Sequence, residues 1–163
     1  IGALARVKGE MIQMSKFAHM NLKKTSTCLN QRDDDILGER EAVEEHLDSS
    51  QKVIIKYLTT ISQGEINSAE AKEISEMMRI VNNIERLGDS MENVSKMLER
   101  IYESKIEFSS DAKQDLVDIS NQVDAFFELV INEMSEKSEG FYQKALAYED
   151  KIDQIPQMMA GLI

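Results

Sequence analysis

Between Ala3 and Leu29 apolar residues fall at Leu4, Val7, Met11, Met14, Ala18 and Leu22, three or four apart, the interval that lines one face of an α-helix. A polar patch from Asn30 to Asp35 closes that segment. A second helix is predicted from near Asp34, with Ile36, Val43, Leu47, Ile54, Leu58 and Ile61 on one side, stopping around Gly64. Asn67 or Ser68 can cap a third, and Asn67 with Glu70 has the spacing of a capping box. Its stripe runs through Ile74, Met77, Val81, Ile84, Met91, Leu98 and Ile101 to about Tyr102. Ser109 or Ser110 opens a fourth, whose apolar side is Leu116, Ile119, Val123, Phe126, Phe127, Val130, Ile131 and Met134. Gly140 marks a break before a fifth. No Pro-rich or Gly/Ser-rich linker divides the chain, so the pattern predicts an all-α helical bundle with short connections, residues 1–163 forming one domain.

Composition sharpens this. One proline, seven glycines, no tryptophan and ten methionines favour long helices over sheets, which need turn residues and β-branched side chains. The net charge of -11 argues against nucleic acid or an anionic membrane as a direct partner, since both select basic patches. No apolar run approaches the roughly 20 residues that span a bilayer, so direct membrane insertion of this segment is not expected. The lone Cys28 fits a reducing compartment, and the expected location is the cytoplasm. The chain begins with Ile1, and reads as a fragment of something longer.

The third helix contains the stretch IERLGDSMEN, Ile84 to Asn93, whose glycine and acids are unusual for a helix interior. Gly88 falls on the apolar stripe between Ile84 and Met91. Glycine there costs about 1 kcal/mol against alanine, and close approach of a neighbouring helix supplies the reason. Glu85 and Asp89 are four apart and share a face bordering that stripe, pointing along the edge of an interhelical groove. Stacked carboxylates repel, and a hard cation converts the repulsion into ligation. Acid pairs at this spacing are common in a chain with 30 acids, and most are solvated faces. Position distinguishes Glu44/Asp48 and Glu149/Asp153, which flank their own apolar stripes as Glu85/Asp89 does.

An offset of 105 positions places Glu44 on Glu149, Asp48 on Asp153, Leu47 on Ile152, Ala42 on Ala147 and Ile36 on Phe141. The unit is therefore three helices, the second and third each carrying an acidic pair. The first copy covers about 1–104 and a partial second about 109–163; the counterpart of Glu85 and Asp89 falls past Ile163, so the second repeat is incomplete.

This arrangement resembles the PhoU family, whose members are built from two three-helix repeats with E(D)xxxD motifs. The family's third-helix signature, approximately ERIGDHAxNI, is matched by Glu85, Arg86, Gly88, Asp89 and Asn93 within ERLGDSMENV, and Glu44-Glu45-His46-Leu47-Asp48 and Glu149-Asp150-Lys151-Ile152-Asp153 match the second-helix motif. The chain departs from free-standing members in its GEINSA entry to the third helix and in Ser90, where the family has histidine. It is closer to PhoU-like domains at the C-terminus of bacterial sodium/phosphate cotransporters, whose entry helix also resembles ALARVKGEMIQM. The resemblance implies a regulator of phosphate uptake and not a catalyst, on the cytosolic face of the inner membrane if attached to a transporter. Its partner would be a membrane-embedded transporter domain or phosphate transporter, with a homodimer left open. It also implies a metal held by Glu44, Asp48, Glu85 and Asp89, with Glu149 and Asp153 as half of a second site and Asn93 orienting a ligand. Iron, manganese, magnesium and zinc all stay open.

Other readings are weaker or blander. A ferritin-like di-iron enzyme needs Glu-x-x-His on two helices, and the chain has no such motif. A metal-free helical interaction module is the alternative, with the acids serving solubility. His46 reads as an exposed helix residue, His19 as a helix-surface residue, and Cys28 as a small half-buried side chain. Pro156 falls where the fifth helix should still run, and is expected to end or kink it near Ile155.

Overall fold

The computed structural model describes residues 2–134 and 140–160, the side chains of 155–160 excepted. The described residues form α1 (Gly2–Thr27), α2 (Asp34–Gly38), α3 (Arg40–Ser62), α4 (Ser68–Ser104), α5 (Ser110–Glu133), α6 (Phe141–Leu146) and α7 (Glu149–Ala160), with no strand among them. The all-α expectation holds. Two of the five expected helices are each divided. The segment from Asp34 breaks at Glu39 because Leu37 turns away from the α3 stripe into a separate small core with Cys28 and Leu98. Asp33 fixes that turn, its carboxylate accepting from the N–H groups of Asp35 and Ile36 at 3.1 and 3.2 Å. The fifth segment breaks at Ala147 and Tyr148, between α6 and α7.

The principal core is where α1, α3, α4 and α5 meet. Met11, Met77, Ile84, Leu58, Phe126 and Phe127 are all fully buried there, and burying such side chains stabilises by about 1.5–3 kcal/mol each before entropy is counted. Methionine suits these gaps because its unbranched thioether adapts to irregular space. Around this core α3 and α4 run antiparallel, α5 lies along α1, and α6 and α7 close over α4 and α5. Lys8 of α1 contacts Glu73 of α4 at 2.5 Å, and the Tyr142 hydroxyl of α6 donates to the same carboxylate at 3.2 Å. Burial pushes the Tyr142 hydroxyl well above its ordinary range.

Capping follows the local chemistry. The Asn67 side chain accepts from the Glu70 N–H and the Glu70 carboxylate accepts from the Asn67 N–H, both at 2.9 Å, completing the capping box at the start of α4. Replacing Asn67 with alanine is expected to lower stability by about 1 kcal/mol, seen as a lower urea midpoint at unchanged slope. Ser109 caps α5 through the Ala112 N–H. Gly140 precedes α6 with φ +78°, in the left-handed region that favours glycine.

Three expectations are corrected. Cys28 is fully buried, not half-buried, because Leu37 and Leu98 close over it. His19 is not a surface residue: it is 9% exposed, paired through Nε2 with the Asp124 carboxylate of α5 and stacked 5.6 Å from the Phe127 ring. Its position on α1 turns it toward α5, a contact no local pattern predicts. Helix α7 does not stop at Ile155 but runs through Pro156 to Ala160. A proline forfeits its own bond to the carbonyl four residues back, and one lost bond does not terminate this helix. The Pro156 ring lies outside the described side chains.

Candidate metal centre

The site begins with a packing requirement. A Cβ on Gly88 would lie 2.5 Å from Cδ1 of Leu47, and Leu47 is 1% exposed. Helices α3 and α4 therefore approach closely where α4 has no side chain, which accounts for a glycine in the middle of a 37-residue helix. The register is antiparallel: Arg40 Nη1 meets Glu99 at 2.6 Å at one end, and Gln51 Nε2 donates to Asn82 Oδ1 at 2.8 Å beyond the glycine. This register brings the border of one stripe against the border of the other.

Along that seam Glu44, Asp48 and Glu85 each offer a carboxylate oxygen, and the three oxygens lie within 4.8 Å of one another. All three side chains are half-buried. The electrostatic cost is visible in their protonation. Glu85 is pushed from an ordinary value of 4.5 up to about 7, first by desolvation, then by its hydrogen bond with Asp89 and the charges of Asp89, Asp48 and Glu44. Glu44 is also raised, by desolvation and then by the charges of Glu92, Asp89, Asp48 and Glu45. Lys52 Nζ reaches Asp48 at 2.7 Å, one helical turn along α3, and is itself raised by that contact. An all-oxygen, half-buried donor set with excess negative charge is the type that hard cations occupy.

The other predicted residues are placed differently. Asp89 is exposed, beside Glu85 and acting on Glu44 through its charge. Asn93, one turn on, is exposed. Glu149 and Asp153 are not brought to the seam: they lie against α4, where Arg79 binds Glu149 and Arg86 binds Asp153. His46 is exposed, its ring 4.2 Å from that of Phe17.

Two contributors escaped the sequence reading. Glu92 supplies the largest charge acting on Glu44, and Lys52 compensates Asp48. Both were within reach of pattern: Glu92 is seven positions from Glu85 and Lys52 four from Asp48, so each continues the face its partner occupies.

In comparison with known proteins, the family description "PhoU domain" matches residues 11–98, a span that contains α3, the seam and nearly all of α4. No curated protein and no solved structure gives a significant match. No described helix is long and apolar enough to cross a membrane. Covering more than half of the chain and carrying both Glu44/Asp48 and Glu85/Asp89, the match shows that this chain belongs to the PhoU family.

Proposed function

We propose that the chain is a regulatory domain of a phosphate uptake system that binds a hard metal ion in the α3/α4 seam. The observation that carries this reading is the convergence of Glu44, Asp48 and Glu85 from two helices. Their donor chemistry fits the ion: three carboxylates, with Asp89 and Glu92 adding negative charge nearby. A bound cation supplies charge neutralisation and, at open coordination positions, a place for phosphate oxygens. The protein's own residues do the rest. Leu47 against Gly88 sets the separation of the two helices, and Lys52 holds Asp48 in place.

Binding couples to helix packing because the ligands come from two elements: drawing the three carboxylates together tightens α3 on α4. That movement is the signal delivered to a transporter, either a membrane domain of the same protein of the sodium/phosphate cotransporter type or a separate one, at the cytosolic membrane face. The role is regulatory and not catalytic. Glu149 and Asp153, engaged by arginines, hold α7 on α4 in this reading and do not ligate.

Elemental analysis of the purified protein, repeated with Asp48→Asn, tests the site. Wild-type protein is expected to retain about one equivalent of iron, manganese, magnesium or zinc after gel filtration, and Asp48→Asn to lose most of it, since losing even a residue that only orients a metal ligand lowers affinity by about 10–100-fold. Equal metal in both would remove this site, and absence of metal from both would leave the alternative, a metal-free helical interaction module, for which the pairing of Lys52 with Asp48 is the favouring observation.

A further inference from the structure

Helix α3 carries a strip that the bundle does not use. Ala42, His46, Ser49, Val53, Tyr57 and Thr60 are all exposed and recur at intervals of three and four, so they form one line along the helix. Val53 is 54% exposed and Tyr57 52%. In a chain where 30% of residues are charged, none of the six is an acid, a lysine or an arginine. Tyr57 lies nine positions from Asp48, two and a half turns on, so the strip faces away from the α3/α4 seam. His46 is braced from α1, its ring 4.2 Å from that of Phe17.

The repeat architecture does not cover this strip. At the offset of 105 positions its first three members correspond to Ala147, Lys151 and Gln154. Helix α4 packs on α7, where Arg79 meets Glu149 and Arg86 meets Asp153, yet all three of those residues stay exposed. A helix placed on α3 in the same way would run along its Glu44/Asp48 side and leave the strip open.

We propose that the strip is a homodimer contact, in which α3 of one copy packs antiparallel on α3 of a second across a two-fold axis near Ser49 and Ser50. That register sets large against small: Tyr57 comes opposite Ala42, and Val53 opposite His46. The serines at the crossing let the two backbones approach. Charge matches as well. Glu45 and Lys56 are exposed along one border of the strip, and neither is in an ion pair among the described residues. Antiparallel pairing brings Lys56 of each copy opposite Glu45 of the other, making two reciprocal ion pairs, whereas parallel pairing would set lysine on lysine and tyrosine on tyrosine. With a net charge of -11, two copies repel over most of their surface, and here they meet without that cost. The strip is about 27 Å long, at the small end of specific interfaces, so the dimer is weak and forms with rising concentration. It does not depend on metal in the seam.

Sedimentation equilibrium of the whole chain tests this. Wild type is expected to pass from monomer to dimer with a midpoint at about 100 µM. Val53→Glu and Tyr57→Glu should each weaken the dimer about tenfold or more. At low salt Glu45→Lys alone and Lys56→Glu alone should each weaken it about fivefold, and the two together in one chain should restore wild-type affinity, because the charges exchange sides. Glu107→Lys and Lys72→Glu, the same changes away from the strip, should shift the midpoint by less than about twofold. All substituted positions are exposed, so circular dichroism should show unchanged helix content. The proposal is overturned by a chain that stays monomeric to about 1 mM, by a dimer indifferent to Val53→Glu and Tyr57→Glu, or by a double charge exchange that fails to restore association.

Discussion

Gly88→Leu is expected to destabilise the protein by about 3 kcal/mol or more, the upper end of what overpacking a filled core costs. The reason is local and geometric. The first carbon of any side chain at 88 would come within 2.5 Å of Leu47 Cδ1, and Leu47 is buried with little room to retreat. Four carbons must then be accommodated by pushing α3 off α4. Gly88→Ala is the informative smaller step. Alanine gains about 1 kcal/mol of helix propensity, yet the clash is expected to outweigh that and leave a net loss of about 1 kcal/mol. On a Leu47→Ala background, itself costing about 2–5 kcal/mol, the sign should reverse, with Gly88→Ala becoming stabilising by about 1 kcal/mol. Urea titration of the four proteins gives the cycle directly. A Gly88→Ala effect that is the same with and without Leu47 would show that the glycine is not there for this contact.

The second large effect concerns Glu85. In metal-free protein its carboxyl titrates at about 7 against an ordinary 4.5, so between those values the folded state holds a proton that the unfolded state has released. Stability is therefore fully present below about pH 4.5 and falls as pH rises through 7, the sign opposite to that of a salt-bridged carboxylate. The contribution is about 1–2 kcal/mol, less than the shift alone would give, because the seam is open to solvent on one side. Glu85→Gln is expected to remove most of this slope and to make the metal-free protein more stable than wild type at pH 8. The same substitution should abolish stabilisation by added manganese or iron, whose binding in wild type should strengthen as pH rises toward and past 7. Thermal melts at pH 5 and pH 8, with and without metal, separate these outcomes. A wild-type stability that rises from pH 5 to pH 8 without metal would contradict the proximity of the three carboxylates.

Helix periodicity made the long elements legible because their stripes are dense: α4 has Ile74, Met77, Val81, Ile84 and Met91 at regular spacing, and the structure buries all five. Gly88 was readable for the same reason, since a gap in a regular stripe requires something to fill it. The breaks were harder. Nothing in the spacing of Ile36 and Val43 reveals that Leu37 leaves the stripe for Cys28 and Leu98, because that choice is made by a contact with α4 over sixty positions away in the chain. His19 illustrates the same limit, its partner Asp124 lying on another helix. For the site, the pairs Glu44/Asp48 and Glu85/Asp89 were visible as helix-border acids, but a one-dimensional ladder does not say which member turns inward. Asp89 faces solvent while Glu85 is half-buried, a difference set by the crossing of α3 over Gly88. Glu149 and Asp153 had the same spacing as the seam acids, and only packing shows that arginines of α4 meet them.

Helix α4 is a single rod of 37 residues, about 55 Å from end to end. The seam grips it near the midpoint, where Arg86 also joins it to α7, and Arg79 makes a second link to α7 about two turns nearer its start. A stiff bar held at its centre is a lever: a tilt of about 5° there carries each tip through about 2 Å, enough to change which side chains meet. Whatever pinches the middle is thus felt at both extremities at once.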